Sequence, residues 1–245
     1  MTPEQYKQLS IKEFSEAAKT YDTNHAGLYE MCKDDYPQML AELEKEPFFD
    51  VLDVGCGTGA VIALLNDKYP GRHYVGLDLT PEMIEVARTK VAPGMEFVVG
   101  DAEDLPFGDA SFDAVLCSNS FHHYPNQAAF LAGAFRVLRP GGRLILRDYT
   151  SNDLVVWLMN HFELPLARAF GHGDVRVLRQ RDCVGAARAA DFEVVSMEAQ
   201  KGFRAHLVAR RPRWGVHHTS RGTDLTVTSS PMAANGRRHE HHSES

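Results

Sequence analysis

The chain of 245 residues contains few cysteines and no long apolar run. Its four cysteines, Cys32, Cys56, Cys117 and Cys183, are scattered without C-x-x-C spacing, which argues against a disulfide framework and a thiolate zinc site. No stretch approaches the roughly 20 apolar residues that a membrane-spanning helix needs, and residues 1–14 lack the apolar core of a signal peptide. We therefore expect a cytoplasmic protein whose thiols are reduced and mostly buried.

The sequence also lacks an excess of basic residues. Its formal net charge is -7, and no Lys/Arg stripe interrupts that balance, so neither nucleic acid nor an anionic membrane surface is an expected partner. The histidines of "HEHH", His239–His242, are adjacent in sequence and cannot converge like the ligands of a folded tetrahedral site. We expect no bound metal, and the composition does not set the oligomeric state.

Three zones follow one another along the chain. Residues 1–48 show helical patterns and form a lead-in, in which the capping-box sequence "SIKE", Ser10–Glu13, predicts a helix start. Residues 49–211 form the core. Residues 212–245 are polar, aperiodic and rich in Ser, Thr, Gly and His, a composition that predicts a disordered tail.

Short apolar runs alternate with helical patterns through the first hundred residues of the core. Such alternation predicts βαβ units and a parallel sheet with helices on both faces, which is an α/β, doubly wound fold. The strand-like runs include "FDVLDV", "HYVGLDL", "MEFVVG", "FDAVLCSNS" and "RLILRDY". A further helical segment, "DLVVWLMNHFELPLARAF", follows them and carries Phe162, Leu164, Leu166 and Phe170, which could line an acceptor pocket or merely pack.

Three glycines, Gly55, Gly57 and Gly59, follow the first strand-like run within "VLDVGCGTG". A turn from strand to helix at the carboxyl end of a parallel strand is where a ligand approaches the backbone, and glycine permits both the turn and the approach. The spacing from Gly55 to Ala60 also satisfies the dinucleotide pattern G-x-G-x-x-G/A, so the glycines alone do not identify the ligand. Asp53 helps to identify the ligand, because a carboxylate at that place attracts a cation and repels a pyrophosphate.

Asp78 ends the second strand-like run, about 20 residues beyond the glycines, where a carboxylate can accept hydrogen bonds from ribose hydroxyls. The competing interpretation is that Asp78 caps the next helix. Since Thr80 and Pro81 already supply a cap and a first helical residue, we expect Asp78 to have no structural role and to bind ribose.

The ordered motifs between Phe49 and Tyr149 resemble those of class I S-adenosylmethionine-dependent methyltransferases, in the small-molecule subgroup that includes quinone-ring methylases. The motifs are "VLDVGCGTG", "GLDLTPEMIEVAR", "GDAEDLPFGDASFD", "SNSFHH" and "FRVLRPGGRLIL". The resemblance implies a Rossmann-like, mostly parallel seven-stranded sheet in which the last strand, "FRAHLVAR", inserts antiparallel. It also implies S-adenosylmethionine as cofactor and a small-molecule acceptor.

The resemblance carries cofactor contacts to twelve positions of this chain. It implies that the glycine loop approaches the methionine part of the cofactor, that Asp78 holds the ribose, that Leu79 and Met83 flank the adenine, and that Asp101 and Ala102 meet its edge. Ser118 and Asn119 would border the transferred methyl group. The loop positions are Asp53, Gly55, Cys56, Gly57 and Gly59. One departure from the family pattern is Asp191 in place of the glycine after the last helix, a position where Asp can adopt the left-handed conformation.

Transfer to an oxygen or activated carbon benefits from a base, whereas a neutral amine can attack unaided. The candidates for that base are His122 and His123, and also Asp148 with Tyr149 at the end of the fifth strand-like run. His123 is the preferred one, because only one of two adjacent side chains is expected to face the cleft. Two other functions stay open at this point. They are a nicotinamide-dependent oxidoreductase and a non-catalytic protein that binds the cofactor.

Overall fold

In the computed structural model, which describes residues 1–22, 35–200 and 203–213, the core is built on one seven-stranded sheet. The spatial order of the strands is β3-β2-β1-β4-β5-β7-β6. Their bounds are Asp50–Val54 for β1, His73–Asp78 for β2, Met95–Val99 for β3, Phe112–Ser118 for β4, Leu138–Tyr149 for β5, Glu193–Gln200 for β6 and Arg204–Arg210 for β7.

The first five strands run parallel, and the predicted antiparallel last strand is confirmed. Leu52 of the central β1 lies opposite Val75 of β2 and Val115 of β4. Strand β7 pairs antiparallel with β5 and with β6, so that Val208 lies opposite Ile145. This order reverses at β1 and β4, and in such sheets ligands bind outside the carboxyl ends of the strands at the reversal.

The helices cover both faces of the sheet. They are α1 (Pro3–Ala18), α2 (Tyr36–Leu43), α3 (Ala60–Lys68), α4 (Pro81–Arg88), α5 (Gln127–Val137), α6 (Asp153–Leu158), α7 (Leu164–Ala169) and α8 (Gln180–Ala189). Val51 belongs to a buried cluster with α2, α3 and α4, whereas the next residue, Leu52, belongs to a cluster with α5 and α8. Because successive strand side chains point to opposite faces, both must be apolar here, which explains the uninterrupted apolar runs.

The N-cap of helix α1 lies eight residues before the predicted N-cap, Ser10. Thr2 is the N-cap: its hydroxyl accepts from the Gln5 backbone, and the Gln5 side chain accepts from the Thr2 backbone. Ser10 is buried within α1, where its hydroxyl donates to the Gly173 carbonyl at 3.4 Å. The prediction was wrong because two capping boxes occur close together, and the earlier one, with Pro at N1, starts the helix.

The predicted additional helical segment is present as α6, a π-helical stretch Met159–Glu163, and α7. Leu164 is buried, but Phe162 and Leu166 are each 61% exposed and Phe170 is 78% exposed. Neither interpretation holds for the whole set. Leu164 packs in a small buried cluster, whereas the three exposed side chains lie outside the buried core and do not line the pocket described below. The left-handed conformation expected at Asp191 is present, with φ at 65°.

Several sequence predictions fall partly or wholly outside the described residues. Cys32, residues 214–245 of the predicted tail and the "HEHH" sequence lie outside them, whereas Cys56, Cys117 and Cys183 are buried and free. In the described part of the chain, no helix combines the length and apolar character needed to cross a membrane.

Candidate active site

A pocket opens at the carboxyl ends of β1, β2 and β4, with α1 along one side. Eleven of the twelve predicted cofactor positions line it: Asp53, Gly55, Cys56, Gly57, Asp78, Leu79, Met83, Asp101, Ala102, Ser118 and Asn119. The twelfth, Gly59, does not. Of the two candidate bases, His123 lines the pocket and His122 does not.

The three glycines of the loop have different duties, although each has a positive φ of 53° to 76°. A Cβ on Gly55 would lie 2.4 Å from the Ser120 hydroxyl, and one on Gly59 would lie 2.7 Å from the Phe97 ring. A Cβ on Gly57 would meet nothing within 4 Å. Gly55 and Gly59 are therefore required by packing as well as by conformation, and Gly57 is the glycine whose missing side chain leaves room for a ligand.

Asp53 places an unsatisfied carboxylate in the pocket wall. The residue is only 2% exposed, and its Oδ2 atom is buried without a hydrogen-bond partner. Burial, with a smaller contribution from the Asp78 charge, raises the pKa of Asp53 to about 7. A buried acceptor without a partner is costly, so this site suits a ligand that brings a positive charge or a hydrogen-bond donor.

Asp78 has the structural role that the sequence argument denied it. Its Oδ2 accepts from the Gly57 backbone at 2.9 Å, and its Oδ1 accepts from the Thr80 backbone, also at 2.9 Å. The Thr80 side chain makes no capping hydrogen bond to the helix backbone. The expectation that Thr80 caps the helix and Asp78 has no structural role is therefore wrong. Burial raises the pKa of Asp78 despite these two bonds, which lower it.

Lys7 of α1 reaches the acidic end of the pocket. Its ammonium lies 2.6 Å from Asp101 Oδ2 and 2.6 Å from Glu103 Oε2, while Asp101 Oδ1 accepts from the Glu103 backbone at 2.9 Å. Although burial lowers the pKa of Lys7, the hydrogen bonds to both carboxylates raise it overall. Sequence reasoning missed Lys7, because no local motif marks a residue that reaches a partner 94 positions away.

Asn119 is oriented by a buried ion network. Its φ of 52° is left-handed, and its Nδ2 donates to Asp35 Oδ2 at 2.8 Å and to Ser118 Oγ at 3.2 Å. The Asp35 carboxylate also accepts from Arg147 Nε at 2.5 Å and from Arg204 Nε at 3.0 Å. Asp35, Arg147 and Arg204 were not identified from the sequence, since each lies on a different element.

The two histidines differ in charge. His122 Nδ1 lies 2.6 Å from Asp148 Oδ1, and the His122 backbone donates to Asp148 Oδ2 at 2.9 Å. Burial lowers the pKa of His122, but Asp148 and, on the other side, Asp174 at 3.3 Å from Nε2 raise it to about 10. His122 is thus an imidazolium at neutral pH, and its candidacy as the base does not fit this charge, since a base needs a free lone pair.

His123 is the neutral member of the pair. Burial first, and then the adjacent His122 charge, lower the pKa of His123 to about 4. Atoms of His122, His123 and Asp174 all lie within 4.8 Å of one another, a spacing that a cation could bridge. Both ring nitrogens of His122 already face carboxylates, Asp148 at 2.6 Å and Asp174 at 3.3 Å, so we interpret this cluster as an ion-paired imidazolium.

Comparison with known proteins agrees with the fold. Residues 52–146 match the family model described as a methyltransferase domain. A fatty-acid O-methyltransferase of Mycolicibacterium smegmatis is 40% identical over 147 residues, which are 59% of this chain and 48% of that protein. A demethylmenaquinone methyltransferase of Deinococcus radiodurans is 42% identical over 102 residues, or 40% of this chain and 42% of that protein. The chain spans less than half the length of these curated relatives.

A solved structure shares the architecture over most of the chain. The PH0226 protein of Pyrococcus horikoshii superimposes with a TM-score of 0.63 at 26% identity, covering 82% of this chain and all of that one. Together with the domain match, the fold identifies residues 52–146 as a methyltransferase domain of the class I, S-adenosylmethionine-dependent type. S-adenosylmethionine is the cofactor of that class.

The described residues fit that cofactor. The unpartnered Asp53 oxygen and the open side of Gly57 lie in one pocket, so a cationic group can be accommodated against the backbone there. The Asp78 and Asp101 carboxylates each have lone pairs beyond the hydrogen bonds given above, which leaves them able to accept from hydroxyl and amino groups.

Proposed function

We propose that this chain transfers a methyl group from S-adenosylmethionine to a small-molecule acceptor. The observation that carries the proposal is the buried, unpartnered Asp53 carboxylate in the wall of the glycine-loop pocket. A cationic cofactor satisfies this group, whereas a pyrophosphate would place two negative charges beside it. The same observation disfavours a nicotinamide-dependent oxidoreductase.

When bound, the cofactor supplies a methyl group already activated on a positively charged sulfur. The residues of the chain therefore have mainly to bind, orient and exclude water, and orientation alone can contribute on the order of 7 to 11 kcal/mol to such a reaction. In this proposal Asp53 and the Gly57 backbone hold the methionine part, Asp78 the ribose, and Asp101 with Ala102 the adenine edge. Leu79 and Met83 flank the adenine, and Ser118 and Asn119 border the reacting centre.

His123 is the proposed base for an acceptor that must lose a proton. Two observations support it over His122: it lines the pocket, and its low pKa leaves its lone pair free at neutral pH. A base with a pKa of about 4 is weak toward an ordinary hydroxyl. For His123 to act as the base, neighbouring groups must therefore stabilise its imidazolium form when it takes up the proton.

The names of the relatives suggest where to look for the acceptor. The two curated relatives are named for a fatty acid and for a demethylated quinone, and the pocket offers aromatic surface from Phe14 and Tyr36 beyond the proposed cofactor contacts. We infer a small, partly apolar acceptor, with oxygen, carbon and nitrogen nucleophiles all to be assayed.

Two measurements test the proposed function. In calorimetry, S-adenosylhomocysteine should bind the full chain and NAD should not, and Asp53→Asn should weaken the binding of S-adenosylmethionine. Mass spectrometry of a cell extract incubated with the enzyme and methyl-labelled cofactor, together with a panel of fatty acids, quinols and amines, should then reveal a labelled product. Binding without any labelled product would favour a non-catalytic cofactor-binding protein, and NAD binding alone would overturn the proposal.

A further inference from the structure

His123 sits in a chain of charges that alternate in sign. Asp148, at the end of β5, holds the His122 imidazolium through Nδ1, and Asp174 meets the other nitrogen of that ring at 3.3 Å. The same Asp174 oxygen lies 3.5 Å from His123 Nδ1. The two imidazole rings are 4.1 Å apart between centroids, so one carboxylate is shared by two neighbouring rings of unequal charge.

The segment that carries Asp174 is fixed from both sides. The backbone N–H groups of Val175 and Arg176 both donate to the His122 carbonyl, at 3.0 and 3.1 Å. On the other side, the Glu13 carboxylate of α1 accepts from the Gly173 backbone at 2.8 Å and lies 2.6 Å from His172 Nδ1. Asp174 therefore cannot withdraw from the histidines without breaking backbone contacts to both α1 and the turn at His122.

The Nδ1 atom of His123 lies beside a carboxylate. Nδ1 is buried and has no hydrogen-bond partner within accepted geometry, and Asp174 is the carboxylate beside it. The ring packs edge-on against Phe14 of α1 at 5.1 Å, and the residue lines the cofactor pocket. A proton on Nδ1 faces a carboxylate, whereas a bare Nδ1 would set its lone pair against a negative charge.

We propose that Asp174 is the positioning residue of His123: it holds the ring proton on Nδ1 and thereby leaves Nε2 as the nitrogen that accepts a proton. At 3.5 Å the contact is electrostatic and not a formed hydrogen bond, and Coulomb attraction favours a proton on the nitrogen that faces the carboxylate. When the acceptor's proton moves to Nε2, the new imidazolium has its Nδ1–H beside Asp174, which stabilises the charge.

His122 completes the arrangement as a fixed cation. Asp148 binds it on the far side and favours its charged form. This charge adds to burial, the larger cause, in lowering the pKa of His123. The groups that act on His123 are His122 on its own turn, Asp174 with the Gly173 backbone, and Asp148 on β5. His172 acts on Asp174, and Glu13 of α1 in turn binds His172. Burial raises the pKa of Asp174, but the surrounding histidines lower it to about 2, so the carboxylate is ionised throughout the working range.

The role of Asp174 rests on the proposed function, but its test does not need a methyl acceptor. Nitrogen NMR of the full chain labelled with ¹⁵N-histidine reports the tautomer and the pKa of each ring, and His123 is assigned by the signal that His123→Gln removes. We expect the wild-type His123 ring to carry its proton on Nδ1 and to titrate well below free histidine. In Asp174→Ala, the ring should revert to the Nε2–H tautomer that predominates in free histidine.

Two further variants test whether a change of tautomer in Asp174→Ala comes from a general disturbance of the structure. In Asp174→Asn, the amide oxygen can still accept from Nδ1–H, so the tautomer should persist while the pKa of His123 falls below the wild-type value. In His122→Gln, the loss of the fixed cation should raise the pKa of His123. Asp109→Asn is the matched control, since the Asp109 side chain is 75% exposed on another surface, and it should change neither property.

A wild-type His123 that carries its proton on Nε2, or a tautomer unchanged in Asp174→Ala, would overturn the assignment of Asp174. These results are independent of the labelling assay. If methyl transfer is absent but the tautomer depends on Asp174, the proposed function fails and the positioning stands. If methyl transfer occurs but the tautomer of His123 does not change in Asp174→Ala, the proposed function stands and the positioning role of Asp174 fails.

Discussion

The Gly57 backbone donates to the Asp78 carboxylate at 2.9 Å and so ties the glycine loop after β1 to the end of β2. The residue inferred to bind ribose is therefore also the residue that holds the loop in shape. Binding and stability cannot be separated at this position, in contrast to what the sequence suggested.

Replacement of Asp78 should weaken both binding and the fold. In Asp78→Ala, the Gly57 and Thr80 backbone donors lose their acceptor, and we expect a loss of about 1 to 3 kcal/mol in the free energy of unfolding. Binding of S-adenosylhomocysteine should weaken by a further 1.5 to 3 kcal/mol, roughly the contribution of a charged hydrogen bond. Denaturant unfolding and calorimetry measure the two effects. Unchanged affinity would remove Asp78 from the cofactor site.

Cofactor affinity should depend on pH through Asp53. Burial raises the pKa of this carboxyl to about 7 in the ligand-free protein, so below pH 7 it is mostly protonated and a cation must displace its proton. We expect the dissociation constant for S-adenosylmethionine to increase as pH falls below 7, by up to about tenfold per pH unit. Calorimetry between pH 5.5 and 7.5 measures this slope.

The same raised pKa predicts the sign of a stability effect. Relative to the unfolded chain, where the carboxyl ionises near its ordinary value, the folded state favours the protonated form, so the contribution of Asp53 to stability is largest at low pH and decreases as pH rises toward 7. Asp53→Asn should flatten both the binding slope and this stability slope. A binding slope that persists in the variant would assign the titrating group elsewhere.

Two glycine variants should separate ligand space from packing. Gly59→Ala places a Cβ 2.7 Å from the Phe97 ring and should lower the thermal midpoint by several degrees, the result of a loss of about 1 to 3 kcal/mol from overpacking. Gly57→Ala meets no atom, so it should cost only about 1 to 2 kcal/mol for the left-handed backbone while cofactor binding is largely lost. Equal effects of the two variants on binding would contradict the assignment of Gly57.

Removal of the chain after Arg213 should leave the thermal midpoint and the cofactor affinity nearly unchanged, because a polar, aperiodic segment buries little apolar surface. Arg211 must be kept. Its guanidinium donates to the carbonyls of Phe135, Arg136 and Leu138, so a cut at that residue would disturb the end of α5. A fall of more than a few degrees in the variant that retains Arg213 would show that the tail docks on the core.

The sequence by itself determined the features that depend on neighbouring residues. The uninterrupted apolar runs predicted strands buried on both faces, the glycines after β1 predicted a turn into the next helix, and Asp191 was correctly expected to adopt a positive φ. Two local signals can compete, as Thr2 and Ser10 show, since each begins a capping-box sequence. Ser10 is buried against the rest of the chain, and the helix has Thr2 as its N-cap.

The pairing of charged side chains around the pocket was decided by the tertiary structure alone. Lys7 meets Asp101 across 94 positions, and Asp174 reaches His123 only because α1 and the turn at His122 hold its segment in place. No periodicity encodes such pairs, since each depends on how separate elements pack. The exposure of Phe162 and Phe170 has the same origin, because an apolar pattern states that a side chain can be buried, while the arrangement of the neighbouring elements decides whether anything covers it.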